Sequence, residues 1–304
     1  MSHLGGKMKR LISTNASELL QMNASELKES IKASEGRVIL SENIVSYQPL
    51  VEDLTNSELA RAVGADLILL NLLDVFNPKV HGLDIVTDVV SDLKKLVKTP
   101  LGVNLEPIDA NAAMLEEKKE LVRGRIASKE TIQKAQSLAF DFICLTGNPG
   151  SGVSNEAIIS SIKTAKKHFN GLVIAGKMHG SGVNEPVMTK ETVLDFIHAG
   201  ADIILAPSIG TIPAFDHDQL KEVVRLAHEN DRLVMSAIGT SQESASVETI
   251  RYFALQNKMC GVDIQHIGDS GFGGLAPIEN IFEMSKAIRG NRHAVSRMAR
   301  SINR

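Results

Sequence analysis

Short apolar runs alternate with amphipathic stretches along almost the whole chain. The runs are "RVILSEN" (37–43), "ADLILLNLLDV" (65–75), "TPLGVNLEPI" (99–108), "FDFICLTGN" (140–148), "GLVIAGKMHG" (171–180), "ADIILAPSIG" (201–210), "RLVMSAIGTS" (232–241) and "VDIQHIGDSG" (262–271). They are rich in Val, Ile and Leu and are bounded by Gly, Pro, Asn or Asp, which predicts buried strands. Between them, stretches such as "SNEAIISSIKTAKKHF", "TKETVLDFIHAG" and "DHDQLKEVVRLAHEND" space their apolar residues for one face of a helix. Strands buried on both faces and separated by helices imply a parallel sheet. Eight such units within 304 residues predict an α/β fold, a (β/α)8 TIM barrel.

Residues 1–36 read as an N-terminal helical segment with Ser and Asn caps, 37–290 as the barrel, and 291–304 as a C-terminal tail with a basic helix. No linker or low-complexity stretch divides them, so one domain over 1–304 is expected. A doubly wound open sheet would need a G-x-G-x-x-G turn after an early strand, and none follows the first three. "VGADLILLN" and "AGADIILAP" echo one another ahead of strands two and six, as do "GSGVSNEA" and "GSGVNEPV" after strands four and five. These read as reused structural turns.

In such barrels the chemistry sits at the C-terminal ends of the strands. Alternation then predicts which side chains enter the mouth. On strand three it sends Leu101, Val103 and Leu105 toward the helices and Gly102, Asn104 and Glu106 inward. On strand five it sends Leu172, Ile174 and Met178 outward and Val173, Ala175, Lys177 and His179 inward. Strand four offers Thr146 and Asn148. Elsewhere the parity is open between Glu42 and Asn43, Asn71 and Asp74, and Gln265 and His266. A lysine following "VIAG" is costly in a core strand unless paired or functional. Lys177 is therefore the expected central catalytic group, with Glu106 as its partner or as a base, and His179 as an acid or base. An ion pair between Lys177 and Glu106 is the structural alternative. Asn71, Asn104 and Asn148 would form an amide lining suited to hydroxyls or carboxylates.

The loops after strands seven and eight bind phosphate in many barrels. Here they carry Gly239, Thr240 and Ser241, and Gly268, Asp269, Ser270, Gly271 and Gly273. Glycines allow backbone N–H groups to close on an anion, so these loops are the expected phosphate grip. No metal or other cofactor is required by any tight His or Cys spacing. If Mg²⁺ is used, Glu106, Asp74 and Glu42 are the candidate carboxylates.

Charge and composition narrow the partners. The net charge of −3 and the 4% aromatic content give no basic face or stacking platform for nucleic acid. No apolar run reaches membrane-spanning length and no signal peptide is legible, which predicts a cytoplasmic protein without a membrane partner. Cys144 and Cys260 lie near apolar runs and read as buried free thiols. The basic C-terminal segment reads as a solvated helix, with a homo-oligomer contact or an anion site as alternatives. The one Asp-x-Asp run, Asp216-His217-Asp218, reads as a helix start.

Through "SENIVSYQPLVEDLTNSELARAVGADLILLN" and "HIGDSGFGGLAPIENI", the chain resembles a group of bacterial (β/α)8-barrel proteins. These are catalogued as haloacid dehalogenase-like hydrolases or phosphoenolpyruvate phosphonomutase-like proteins. Together these readings predict an isomerase- or lyase-type enzyme acting on a small phosphorylated or carboxylate metabolite. The alternatives are a Mg²⁺-dependent phosphonomutase- or lyase-like enzyme and a non-catalytic sugar-phosphate sensor.

Overall fold

The computed structural model describes residues 9–83, 88–269, 271 and 273–304. Eight strands are hydrogen-bonded in chain order into a closed barrel: β1 (Val38–Ile44), β2 (Leu67–Asn71), β3 (Leu101–Leu105), β4 (Phe142–Leu145), β5 (Leu172–Gly176), β6 (Ile203–Pro207), β7 (Leu233–Ile238) and β8 (Ile264–Ile267). All neighbours are parallel, and β1 closes on β8 with Leu40 opposite His266. Helices α1 (Ala16–Leu19) and α2 (Ala24–Lys32) precede the barrel. Each strand is then followed by its own helix: α3 (Asn56–Ala62), α4 (Val89–Val97), α5 (Lys129–Ser137), α6 (Asn155–His168), α7 (Lys190–Ala199), α8 (His217–Glu229), α9 (Val247–Met259) and α10 (Ile278–Ala299). The chain is thus a (β/α)8 TIM barrel. The basic C-terminal segment is the second half of α10, set off by a break at Gly290 with φ 70°.

Two apolar layers follow from strand alternation. Leu40, Leu69, Ile174, Leu205, Met235 and Ile264 belong to the barrel interior, while Ile39, Ile68, Val103, Ile143, Val173 and Ile204 pack under the helices. Gly102 makes room for the largest interior side chain: a Cβ there would lie 2.0 Å from the Phe142 ring. Leu11, Leu19, Leu27 and Ile31 join the interior cluster and close the barrel's N-terminal end. The paired "NASEL" segments make this plug. Asn15 with Glu18 and Asn23 with Glu26 form capping boxes that start α1 and α2.

An aspartate recurs ahead of every even strand. Asp66, Asp141, Asp202 and Asp263 each donate their backbone N–H to a residue at or near the start of the preceding odd strand, at 2.8–3.0 Å. Each carboxylate accepts that same residue's N–H, from Ile39, Leu101, Val173 and Val234 respectively, at 2.8–2.9 Å. A cation then covers each one: Arg289 on Asp66, Lys94 on Asp141, Lys166 on Asp202 and His228 on Asp263. Asp263 holds the His228 imidazole above its usual range through this hydrogen bond. The echo before strands two and six is therefore half of a fourfold clamp that sets the register of successive strand pairs.

Candidate active site

The open end of the barrel holds a cavity of about 500 Å³. A larger recess of about 690 Å³ lies between Pro78–Leu83 and α5, but it is bounded by loop and helix and contains none of the strand-end polar side chains. The mouth is lined by Glu42 from β1, Asn71 from β2, Asn104 from β3, Thr146 and Asn148 after β4, and Met178 and His179 after β5. Gly239, Thr240, Ser241 and Glu243 follow from the β7 loop, and Gly268, Asp269 and Gly271 from the β8 loop. Glu116 reaches it from the long β3–α5 connection.

The open choices of parity are settled by the closed sheet. Glu42 points inward, whereas Asn43 bonds outward to Ser41 and to Ser57 of α3. Asn71 faces the mouth, whereas the Asp74 carboxylate caps its own loop by accepting from Phe76 and Asn77 N–H. His266 enters the barrel, and its Nε2 lies 2.6 Å from Glu42 Oε2. The expected carboxylate set for Mg²⁺ does not assemble. Glu106 is held by Arg125 at 2.6 Å, Asp74 lies in its loop, and only Glu42 lines the mouth. Among the described residues, no three His, Cys, Asp or Glu side chains are arranged to hold a metal.

The parity read for strand five is reversed in the structure. Leu172, Ile174 and Met178 belong to the interior layer, and Val173 and Ala175 to the helix-facing layer. Lys177 follows the outward set. It is fully buried, does not line the mouth and pairs with Glu185, which also accepts Asn155 N–H at the start of α6. Burial holds the Lys177 ammonium below its usual range, with Glu185 opposing the shift. The contact expected between Lys177 and Glu106 is replaced by Lys177–Glu185 and Glu106–Arg125. Both faces of a barrel strand are apolar, so alternation by itself does not mark the inner one.

Glu106 is buried, is not part of the lining, and accepts Asn148 N–H at 2.9 Å. This fixes the loop that carries Asn148. The three predicted amides do meet. Asn71 and Asn148 exchange side-chain hydrogen bonds at 2.9 and 3.1 Å, and Asn104 donates to Asn71 Oδ1 at 3.1 Å. Asn71 also donates to Asp269 Oδ2 at 3.2 Å. Two buried acceptors on the lining, Asn104 Oδ1 and Thr146 Oγ1, have no hydrogen-bond partner among the described residues. Donors of a molecule in the mouth can satisfy them.

Two titratable groups on the lining are strongly shaped by this setting. Asp269 is pushed up to about 7, first by burial and then by the neighbouring Glu42 charge, with the Asn71 hydrogen bond opposing. His179 is held below its usual range by burial. Its Nδ1 accepts Ser181 N–H at 3.0 Å, so the neutral ring carries its proton on Nε2.

The two loops expected to grip phosphate do share one wall of the cavity. Gly239, Thr240, Ser241, Gly268 and Gly271 all line it. Gly273 does not; its carbonyl accepts from Asn56 of α3 at 2.5 Å. Ser270 lies outside the described residues. Glu243 comes with the wall: a Cβ on Gly268 would sit 3.2 Å from the Glu243 carboxyl carbon. Among the described residues the lining has four carboxyl side chains, Glu42, Glu116, Glu243 and Asp269, and no Lys or Arg. Glu116 and Glu243 escaped sequence reading because one sits in a loop and the other in a single 3-10 turn, neither long enough to show periodicity, and only closure of the barrel brings them to the mouth.

Fold and site together define a TIM barrel with a polar, carboxyl-rich mouth. Residues 12–304 match the family described as a domain of unknown function, DUF7916, and the chain belongs to that family. No curated protein matches it. Among solved structures it is similar to an archaeal fructose 1,6-bisphosphate aldolase (14% identity, 85% of this chain and 96% of that one, TM-score 0.53). It is also similar to a 2,3-dimethylmalate lyase of the PEP mutase/isocitrate lyase superfamily (10% identity, 86% and 83%, TM-score 0.49). A third similar structure is the thiamine phosphate pyrophosphorylase of Pyrococcus furiosus (15% identity, 84% and 97%, TM-score 0.48). At 14% identity the likeness to the aldolase is one of fold. The dehalogenase resemblance gains no support from the site: Asp216 caps α8 by accepting from Asp218 and Gln219 N–H. Among the described residues no helix is long and apolar enough to cross a membrane.

Proposed function

We propose that the chain is an acid–base enzyme of lyase or isomerase type, acting on a small hydroxyl- or carbonyl-bearing metabolite in the barrel mouth. One observation carries this reading: Asp269 and Glu42 face one cavity at the barrel mouth, with Asp269 pushed up to about 7, first by burial and then by the Glu42 charge. Two carboxyls whose environments differ in this way supply an acid and a base at one pH. Asp269 donates a proton to a developing alkoxide or enolate oxygen. Glu42, braced by His266, takes a proton from carbon or from a hydroxyl. The Asn71–Asn104–Asn148 net and Thr146 bind hydroxyl or carbonyl groups, and His179 Nε2 is a further donor.

The carboxyl-rich lining favours a neutral or cationic substrate over a free dianion. A phosphorylated substrate is the second reading. The glycine-bearing wall supports it, with Mg²⁺ as a counter-cation beside the carboxyl side chains of the lining. The test is turnover of a metabolite library, with and without phosphoryl groups, combined with hydrogen exchange from D₂O into substrate carbon. Asp269→Asn and Glu42→Gln should each lower the rate roughly 10²–10⁴-fold in a folded protein. Chelator sensitivity confined to phosphorylated substrates would favour the second reading. Full activity in both variants would refute the acid–base assignment, and ligand binding without turnover or exchange would favour a sensor.

A further inference from the structure

The opposite end of the barrel carries the opposite charge. Arg61 of α3, Lys98 at the end of α4, Arg297 of α10 and Arg300 just after it line one small cavity, together with Thr14, Thr99 and Ser301. Three separate chain segments thus bring four cations together, and no acidic residue lines the cavity. Lys98 is placed there by a left-handed backbone at the C-cap of α4 (φ 49°). We propose that this cavity is an oxyanion site.

Structural duties leave much of this charge uncompensated. Arg300 reaches Asn15 Oδ1 at 2.7 Å and Ser13 O at 3.3 Å, but its buried Nε has no hydrogen-bond partner. Arg297 reaches Thr14 O at 3.3 Å, with its Nε 2.9 Å from Asp66 Oδ1. Asp66 is shared between Arg297 and the fully buried Arg289. Arg61 donates to the Arg300 carbonyl at 2.7 Å. Glu18 is the other acid whose field reaches Arg300, and it is already paired with Lys9. Burial, then repulsion from Arg297, holds Arg61 and Arg300 below their usual range. An anion among them relieves that repulsion, and guanidinium groups match its oxygens in pairs. The void has room for roughly one water. A phosphate therefore seats by displacing the half-exposed heads of Lys98 and Arg61, leaving the Arg297–Asp66 pair intact.

The test is a titration of the full-length protein with inorganic phosphate at constant ionic strength, read by calorimetry and by melting temperature. Chloride-only buffer is the reference. Saturable binding and a rise in melting temperature are expected. Lys98→Met and Arg61→Gln, which spare the Asp66 pair, should each weaken binding roughly tenfold while retaining the far-ultraviolet dichroism of the parent. A second titration with phenyl phosphate separates the sources. Equal affinity assigns the site to a phosphorylated metabolite, and a strong preference for inorganic phosphate or sulfate assigns it to the free ion. Absence of saturation in the parent, or undiminished binding in the double variant, would overturn the proposal; the latter would place the anion in the mouth instead.

Discussion

Asp269→Asn isolates the electrostatics of the mouth. Burial, and then the Glu42 charge, push the parent carboxyl up to about 7 in the folded chain, against an ordinary 3.8. That gap of about 3 units corresponds to about 4 kcal/mol, at about 1.4 kcal/mol per unit. The sign follows from proton binding. Below 3.8 both folded and unfolded chains hold the proton, and the group costs nothing. As pH rises toward about 7, the unfolded chain releases it first, so folded stability falls. Above that range the full cost is present. Relaxation of the loop and entry of water reduce the figure, so roughly 1–3 kcal/mol is expected to be recovered. Asn keeps the shape and one acceptor for Asn71 without the charge. Urea unfolding of parent and variant at about pH 5 and about pH 8.5 gives the comparison. The substitution should stabilise at both, by roughly 1–3 kcal/mol at the higher pH and by less than half of that at the lower. Equal effects at both pH values would refute the raised titration and, with it, the assignment of Asp269 as the acid.

Lys177→Met should lower stability by roughly 1–3 kcal/mol, because Glu185 loses its buried partner but retains Asn155 N–H and some solvent. Ligand affinity in the mouth should stay within about twofold of the parent, and a large loss in a folded variant would return Lys177 to the site. Gly102→Ala puts a Cβ against the Phe142 ring and should cost roughly 1–3 kcal/mol, with Phe142→Leu restoring part of it in the double variant. Additive losses would show that the ring is not the obstacle. Asp202→Ala removes the acceptor of Val173 N–H and should cost roughly 1–3 kcal/mol by urea unfolding. A neutral result would mean that the aspartate clamp is dispensable there.

The barrel was legible because its cause is local and repeated. Each strand is a short Val-, Ile- and Leu-rich run, each helix has its own amphipathic period, and eight repetitions leave few alternatives. On β3 the face was legible as well: Gly102 and Asn104 cannot serve a helix-packing layer, so Leu101, Val103 and Leu105 must. The polar residues that end strands, Asn71, Asn104 and Asn148, stood out for the same reason, and they meet in the mouth. The aspartate clamp was half visible, as a repeated "GAD" before two strands. Its other members, in "AFDF" and "GVDI", share only the aspartate and its bonds.

What the sequence determined, then, was the repeating unit and its polar punctuation. Tertiary structure decided the inner face of β5, because Leu172-Val173-Ile174-Ala175 is equally apolar on both sides and periodicity has no purchase there. It decided the partners of Lys177 and Glu106, because Glu185 lies in a loop and Arg125 in a one-turn 3-10 helix, and the positions of both depend on the strands around them. It also separated the charges, gathering four carboxyl side chains at the mouth and four cations at the base in a chain whose net charge is only −3. Composition sums charges along the chain, whereas the field at a cavity depends on distance, and distances exist only once the barrel has closed.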